Sequence, residues 1–260
     1  MAKAPLTILV ATNILLTDKR IVLFTTFSHK HPRSTPMVFT RFALLPLCAL
    51  CLTATAGLSA DEWSEEDIAA MEGGTALPAG VHTVHFPAMA KQSVTFVSEA
   101  SERIAGLVEF DGESSIGNAT ITIDGDSASA ESHLTINVAD MRTGNSTRDE
   151  HLRSEGWMHA DEHPHIHFHL DNLEKLSDTV YALTGTWTIK GESQQMTSLA
   201  NLRFIPSFPN FGENIVRVRS SFQLPIQEFG VTHQAVGSPA VAEVWHIDIA
   251  LLGLPVEDQD

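Results

Sequence analysis

From about residue 81 the chain repeats one pattern: short segments of alternating apolar and polar residues, each closed by turn-forming residues. Alternation with period two sends successive side chains to opposite faces, so each segment predicts a β-strand with one dry and one wet face. The segments are Val81 to Phe86, Ser93 to Val97, Ile104 to Phe110, Ala119 to Ile123, Ser132 to Val138, His165 to Leu170, Tyr181 to Ile189, Met196 to Phe204, Ile215 to Leu224 and Trp245 to Leu251. Between them stand Asp111-Gly112, Asp124-Gly125, Lys190-Gly191 and Pro206-Ser207, all turn chemistry. The pattern predicts an all-β, antiparallel domain, and closing its sheet into a barrel removes the exposed edges.

Parity along the strands selects the inward face. It carries Ile121 and Ile123, then Leu134, Ile136 and Val138, then Ile166, Phe168 and Leu170, then Leu183, Trp187 and Ile189. Met196, Leu202 and Phe204 continue it, followed by Phe222 and Leu224 and by Trp245, Ile247, Ile249 and Leu251. The opposite neighbours Thr120, Thr122, Asn137, His165, His167, Thr188 and Asp248 are polar. A barrel of eight strands either fills with its own side chains or holds one small ligand. Parity does not choose between those states.

One connection is too specific to be generic loop. It runs Ala139-Asp140-Met141-Arg142-Thr143-Gly144-Asn145-Ser146-Thr147-Arg148-Asp149-Glu150-His151-Leu152-Arg153 and continues through Trp157 and Asp161 to Pro164-His165-Ile166-His167-Phe168. Its residue order resembles the signature of the YceI-like family. Thr184 to Gly191, Glu228-Phe229-Gly230-Val231, Ser93 to Phe96 and Phe110-Asp111-Gly112 resemble further family motifs in the family's order, covering about residues 90 to 252.

The resemblance implies a periplasmic, lipocalin-like eight-stranded barrel with a short helical flap. Its elongated apolar tunnel would hold a polyisoprenoid, such as an isoprenoid quinone or polyprenyl alcohol, with no cofactor, metal or catalytic residue. On that reading the candidate lining is the inward set Ile121, Ile123, Leu134, Ile136, Val138, Ile166, Phe168, Leu183, Trp187, Ile189, Phe204, Phe222, Ile247 and Ile249, joined by Phe96 and by Trp157 and Met158 of the flap. A long chain gains about 0.8 kcal/mol per buried CH₂, ample even after ordering costs. The chain departs from the family pattern at Lys91, where relatives often carry His, and at Ile226, where an Arg commonly stands. Trp187 and Trp157 replace smaller or differently shaped apolar residues, and their bulk would shorten a cavity.

The flap has its own local logic. Gly144-Asn145 is turn-competent, and Ser146 or Thr147 is placed to cap a helical turn through Arg153. Arg142, Arg148, Asp149 and Arg153 are the candidates to order it by charge-assisted hydrogen bonds. They serve either as scaffold or as direct contacts to a lipid head group. His159, His163, His165, His167 and His169 crowd into eleven residues nearby. His165, His167 and His169 alternate onto one strand face and are weak metal candidates, but parity turns them to solvent.

Upstream, Met37 to Arg41, the apolar stretch Phe42 to Ala56 and Leu58-Ser59-Ala60 read as a signal peptide cleaved after Ala60. Its apolar part, about fifteen residues, falls short of the roughly twenty a spanning helix needs, and no stable membrane insertion is expected. Residues 1–36 read as an upstream extension with the true start at Met37, or else as part of an unusually long signal. Residues 61–80 form an acidic leader, poorly ordered with one short helix, 81–253 the barrel, and 254–260 an acidic tail.

Composition narrows the function. The only cysteines, Cys48 and Cys51, lie in the signal and follow Leu47 and Leu50, so disulfides, thiol chemistry and a lipid-attachment cysteine all drop out. From Asp61 onward 10 Lys plus Arg face 31 Asp plus Glu, and a chain this acidic repels nucleic acid. No Gly-x-Ser-x-Gly elbow or phosphate-binding glycine loop is present, so a non-enzyme is expected. Three classes remain: a lipid-binding barrel, a His-rich metal-binding or stress-sequestering protein, and a ligand-free structural barrel, each as monomer or homodimer. The apolar connection Phe204 to Gly212 reads as a lid, a dimer contact or ordinary packing on the wall.

Overall fold

The computed structural model describes residues 12–17, 20–25, 63–88, 92–110 and 115–256. The signal segment, Lys91, the Asp111-Gly112 turn and residues 257–260 lie outside them. Within the segment read as an upstream extension, β1 (Thr12–Thr17) pairs antiparallel with β2 (Arg20–Thr25) as a two-stranded hairpin. That hairpin belongs to a different compact unit from the rest of the described chain.

In the larger unit a short helix, α1 (Glu65–Met71), precedes β3 (Gly80–Pro87), β4 (Ser93–Glu99), β5 (Arg103–Val108), β6 (Ser115–Asp124), β7 (Ser127–Asn137) and β8 (Met141–Arg142). Helix α2 (Ser146–Arg153) follows, then β9 (His165–Lys175), β10 (Val180–Ile189), β11 (Glu192–Phe208), β12 (Gly212–Pro225) and β13 (Val244–Pro255). Neighbours run β3-β6-β7-β9-β10-β11-β12-β13, and β13 also pairs with β3, so eight strands close a wholly antiparallel ring. One edge of β13 is shared: residues 245–250 pair with β4, and Leu254 and Pro255 with β3. The strip β4-β5-β8 thereby extends the wall at the end of the barrel where α2 lies. The barrel reaches two residues past the boundary at 253 read from the sequence.

Period-two burial follows the strands. Ile166, Phe168 and Leu170 are buried while His165, His167 and His169 are exposed. A bulge then intervenes, because Thr184 pairs with Asn172 but Gly185 with Leu170, leaving Asp171 as the extra residue. Burial resumes at Leu173, and the strand runs on to Lys175. The Lys190-Gly191 turn has left-handed φ at both residues, 50° and 81°, the conformation of the tightest hairpins. Pro206-Ser207, by contrast, is not a turn: both residues lie within β11, and the chain reverses at residues 209–211. Pairing steps from Ile205↔Ile215 to Ser207↔Glu213, so no N–H is demanded of Pro206. The apolar connection is the tip of the β11–β12 hairpin, where Phe208, Phe211 and Ile205 pack with Ile215 and Leu252 in a small second cluster.

The leader is better ordered than its composition implied. Ser64 and Asp67 form a reciprocal capping box on α1. The Gly73 N–H donates to Thr179 Oγ1 at 3.2 Å, and the Phe204 N–H to Thr75 O at 2.8 Å. These bonds carry Leu77 into the main core, where it is 4% exposed. Leu77 is the leader's one buried hydrophobic side chain among the described residues.

Candidate functional site

Along its axis the barrel interior is a series of compartments. The lower chamber, at the α2 end, has a volume of about 50 Å³, and the upper one, farther from α2, about 70 Å³. Trp187 and Phe222 line both. Their ring centroids are 5.6 Å apart, and Phe168 packs on Trp187 at 4.7 Å. The partition is thus made of side chains rather than backbone.

On the side of the lower chamber away from the upper one, a cleft of about 340 Å³ opens beside α2. Phe96 and Trp245, stacked at 5.5 Å with planes 17° apart, line both the cleft and the chamber. Arg148, His151, His233 and Trp157 join the cleft wall, with Trp157 stacked on His233 at 4.7 Å. His233 Nδ1 accepts from the Ala235 N–H, which leaves the proton of the neutral ring on Nε2. Trp245 Nε1 is buried and has no hydrogen-bond partner among the described residues. An orphaned donor at an apolar threshold is an unusual cost and a ready contact for a ligand acceptor.

One buried carboxylate takes part in the hydrogen bonds of the flap. Asp149, 6% exposed, accepts from the Thr143 N–H at 2.7 Å and from Thr143 Oγ1 at 2.6 Å. Burial alone would push its carboxyl up, but these hydrogen bonds and the Arg153 and Arg142 charges outweigh it and hold the pKa below the ordinary value. Arg148 Nε donates to Thr143 Oγ1 at 2.9 Å, so the same threonine joins both side chains. Arg142 donates to the Ala139 and Met141 carbonyls and pairs with Glu109 at 3.4 Å. The cap of α2 is Asn145, whose side chain accepts from the Arg148 N–H, rather than Ser146 or Thr147. Asn145 alone has the extended backbone a cap needs, since the helix has already begun at Ser146.

The candidate lining residues separate by compartment. Phe96, Ile136, Met158, Ile166, Ile189 and Ile247 line the lower chamber, and Ile121, Leu134, Phe168, Leu183 and Ile249 the upper. Trp157 lies on the cleft. Ile123 and Val138 are buried in the core but line neither chamber. Phe204 stands apart, in an outer groove with Pro78 and His82, where the leader bridges to its backbone at Thr75. Parity missed Ile226, Phe229 and Val231, which close the lower chamber from the 3-10 turn Ile226–Phe229 and the residues after it. The Phe229-Gly230-Val231 motif was the available signal. Ile226, 1% exposed, puts an alkyl group where an Arg was the expected family residue.

The histidine ladder His165, His167, His169 stands on the outer wall facing Asn137, Thr135 and His133. Its members do not converge as a set of metal donors among the described residues. No helix among those residues is long and apolar enough to cross a membrane.

These elements make a closed antiparallel barrel with an apolar lumen and a polar mouth. The YceI-like domain model matches residues 88–251, and the chain belongs to that family. BcnA of Burkholderia cenocepacia superposes with a TM-score of 0.51 at 18% identity, covering 63% of this chain and 96% of that one. A Campylobacter jejuni YCEI protein gives 0.50 at 20% identity, with coverages of 60% and 87%. Both share the fold. No curated protein matches. The family's barrel is consistent with binding an apolar ligand.

Proposed function

We propose that this protein binds a long apolar lipid of the polyisoprenoid class and stores or carries it in the periplasm. The observation that carries the reading is the pair of apolar chambers that share Trp187 and Phe222 as lining, next to a cleft with polar groups that shares Phe96 and Trp245 with the nearer chamber. Chambers of about 50 and 70 Å³ are smaller than the ~150 Å³ cavity that holds a benzene ring. Loading therefore requires the two rings to part. An aromatic pair contributes about 0.5–1.5 kcal/mol beyond its area, which two or so buried CH₂ groups at about 0.8 kcal/mol each offset. The polar end of the lipid lies in the cleft, against Trp245 Nε1, Arg148 and His233. Delivery to the periplasm rests on the signal segment and on the family.

The small chambers also favour a second reading, a barrel filled by its own side chains. Organic extraction of the protein purified from a bacterial periplasm, followed by mass spectrometry, separates the two. An apolar molecule near one per chain is the expected result. Repeated extraction yielding none supports the filled barrel instead.

A further inference from the structure

We propose that His159, Glu162 and His163 form a binding site for a divalent transition metal of the zinc class. Their potential ligand atoms all lie within 4.8 Å of one another, the one such group of three among the described residues. His159 Nδ1 stands 3.7 Å from Glu162 Oε2, and the two imidazoles meet edge to face at 5.8 Å between centroids. Zinc bonds of about 2.0–2.2 Å put neighbouring tetrahedral donors about 3.3–3.5 Å apart, so closure needs only short side-chain movements. Glu162 is exposed and has the freedom to make them.

The donor set specifies the class. Two imidazoles and one carboxylate suit Zn²⁺, Cu²⁺ or Ni²⁺ rather than Mg²⁺ or Ca²⁺. Three protein donors leave a position for water. A surface ion pair between His159 and Glu162 is the plain alternative, yet it gives no role to the second imidazole. His163 is wedged against the Lys190-Gly191 turn, where a Cβ on Gly191 would come within 2.9 Å of its Cε1. His159 holds a left-handed φ of 51°, sparsely populated by non-glycine residues. The Glu162 and His163 N–H groups both donate to His159 O, at 3.1 and 2.8 Å, and this turn brings the three side chains together. The chain's net charge of −16, with exposed Asp161 in the same turn, favours a dication. Trp157 and Met158 directly precede His159, so a bound metal would pin the segment that walls the cleft and the lower chamber. The site stands independently of the lipid reading.

The test is titration of the full chain, purified without a histidine tag, with ZnCl₂ by calorimetry and by chelator competition. One Zn²⁺ per chain is expected. Glu162→Gln and His163→Gln should each weaken it by about tenfold or more, the loss that removing even an outer-shell partner causes. His159→Asn, which tolerates the left-handed backbone, should do the same. The exposed ladder variant His165→Gln/His167→Gln/His169→Gln should bind like the parent, and circular dichroism should show all variants folded. No binding by the parent, or loss that follows the ladder variant instead of the turn variants, would overturn the site.

Discussion

The ring of Trp187 lies against that of Phe222, centroids 5.6 Å apart and planes inclined by 36°, and the pair is the wall between the two chambers of the barrel. Their removal should trade stability for capacity. Trp187→Ala is expected to lower the stability of delipidated protein by about 3–5 kcal/mol in urea unfolding, as for other buried large-to-small changes. It should also increase uptake of an apolar fluorescent dye, because the chambers merge. Unchanged dye uptake in a folded variant would mean that the partition does not limit the lumen.

Asp149 predicts a pH dependence with a definite sign. Its folded pKa lies below the unfolded value of 3.8, so its stabilisation is complete above that value and is lost as pH falls through the folded one. Asp149→Asn should therefore be destabilised relative to the parent at neutral pH. The difference should shrink as pH drops below 3.8. Thermal unfolding of both proteins across pH 2.5–7 (roughly the span over which such carboxylates titrate) checks it, and a gap that widens in acid would contradict the assignment.

Leu77 anchors the leader in the main core. Leu77→Ala should cost about 2–5 kcal/mol, the usual range for a buried leucine. A surface-like value under about 0.5 kcal/mol in denaturant unfolding would show that the leader only rests on the barrel.

Arg148 links the flap to the cleft. Arg148→Met keeps the apolar stem but removes the donors to Thr143 Oγ1 and to a head group. Lipid with a polar end should dissociate faster from the variant, while purely hydrocarbon dye binding stays unchanged. Equal off-rates for both proteins would assign Arg148 to the scaffold alone.

Much of this barrel was legible in the alternation of residues such as His165-Ile166-His167-Phe168, because a strand between water and a core writes its two faces directly into the sequence. What lay beyond reach has no period. Asp171 is a single extra residue in the bulge, and β8 is only two residues long. Leu77 is one apolar side chain in an Ala-, Gly- and Glu-rich segment. Ile226, Phe229 and Val231 reach the lumen from a 3-10 turn rather than a strand. Phe204 kept the parity of Leu202 yet lines an outer groove rather than either chamber, beside the leader that bridges to it at Thr75. The crowded histidines were visible, but not which of them converge. A turn in the backbone, not strand alternation, brings His159 to His163.

On the proposed function, the lumen itself is the lipid site. A crystal structure of the protein loaded with a polyprenyl alcohol tests it most directly. Continuous density is expected from the cleft past Phe96 and Trp245 through both chambers, with the Trp187 and Phe222 rings moved apart. Density confined to the outer surface, with that ring pair still closed, would contradict it.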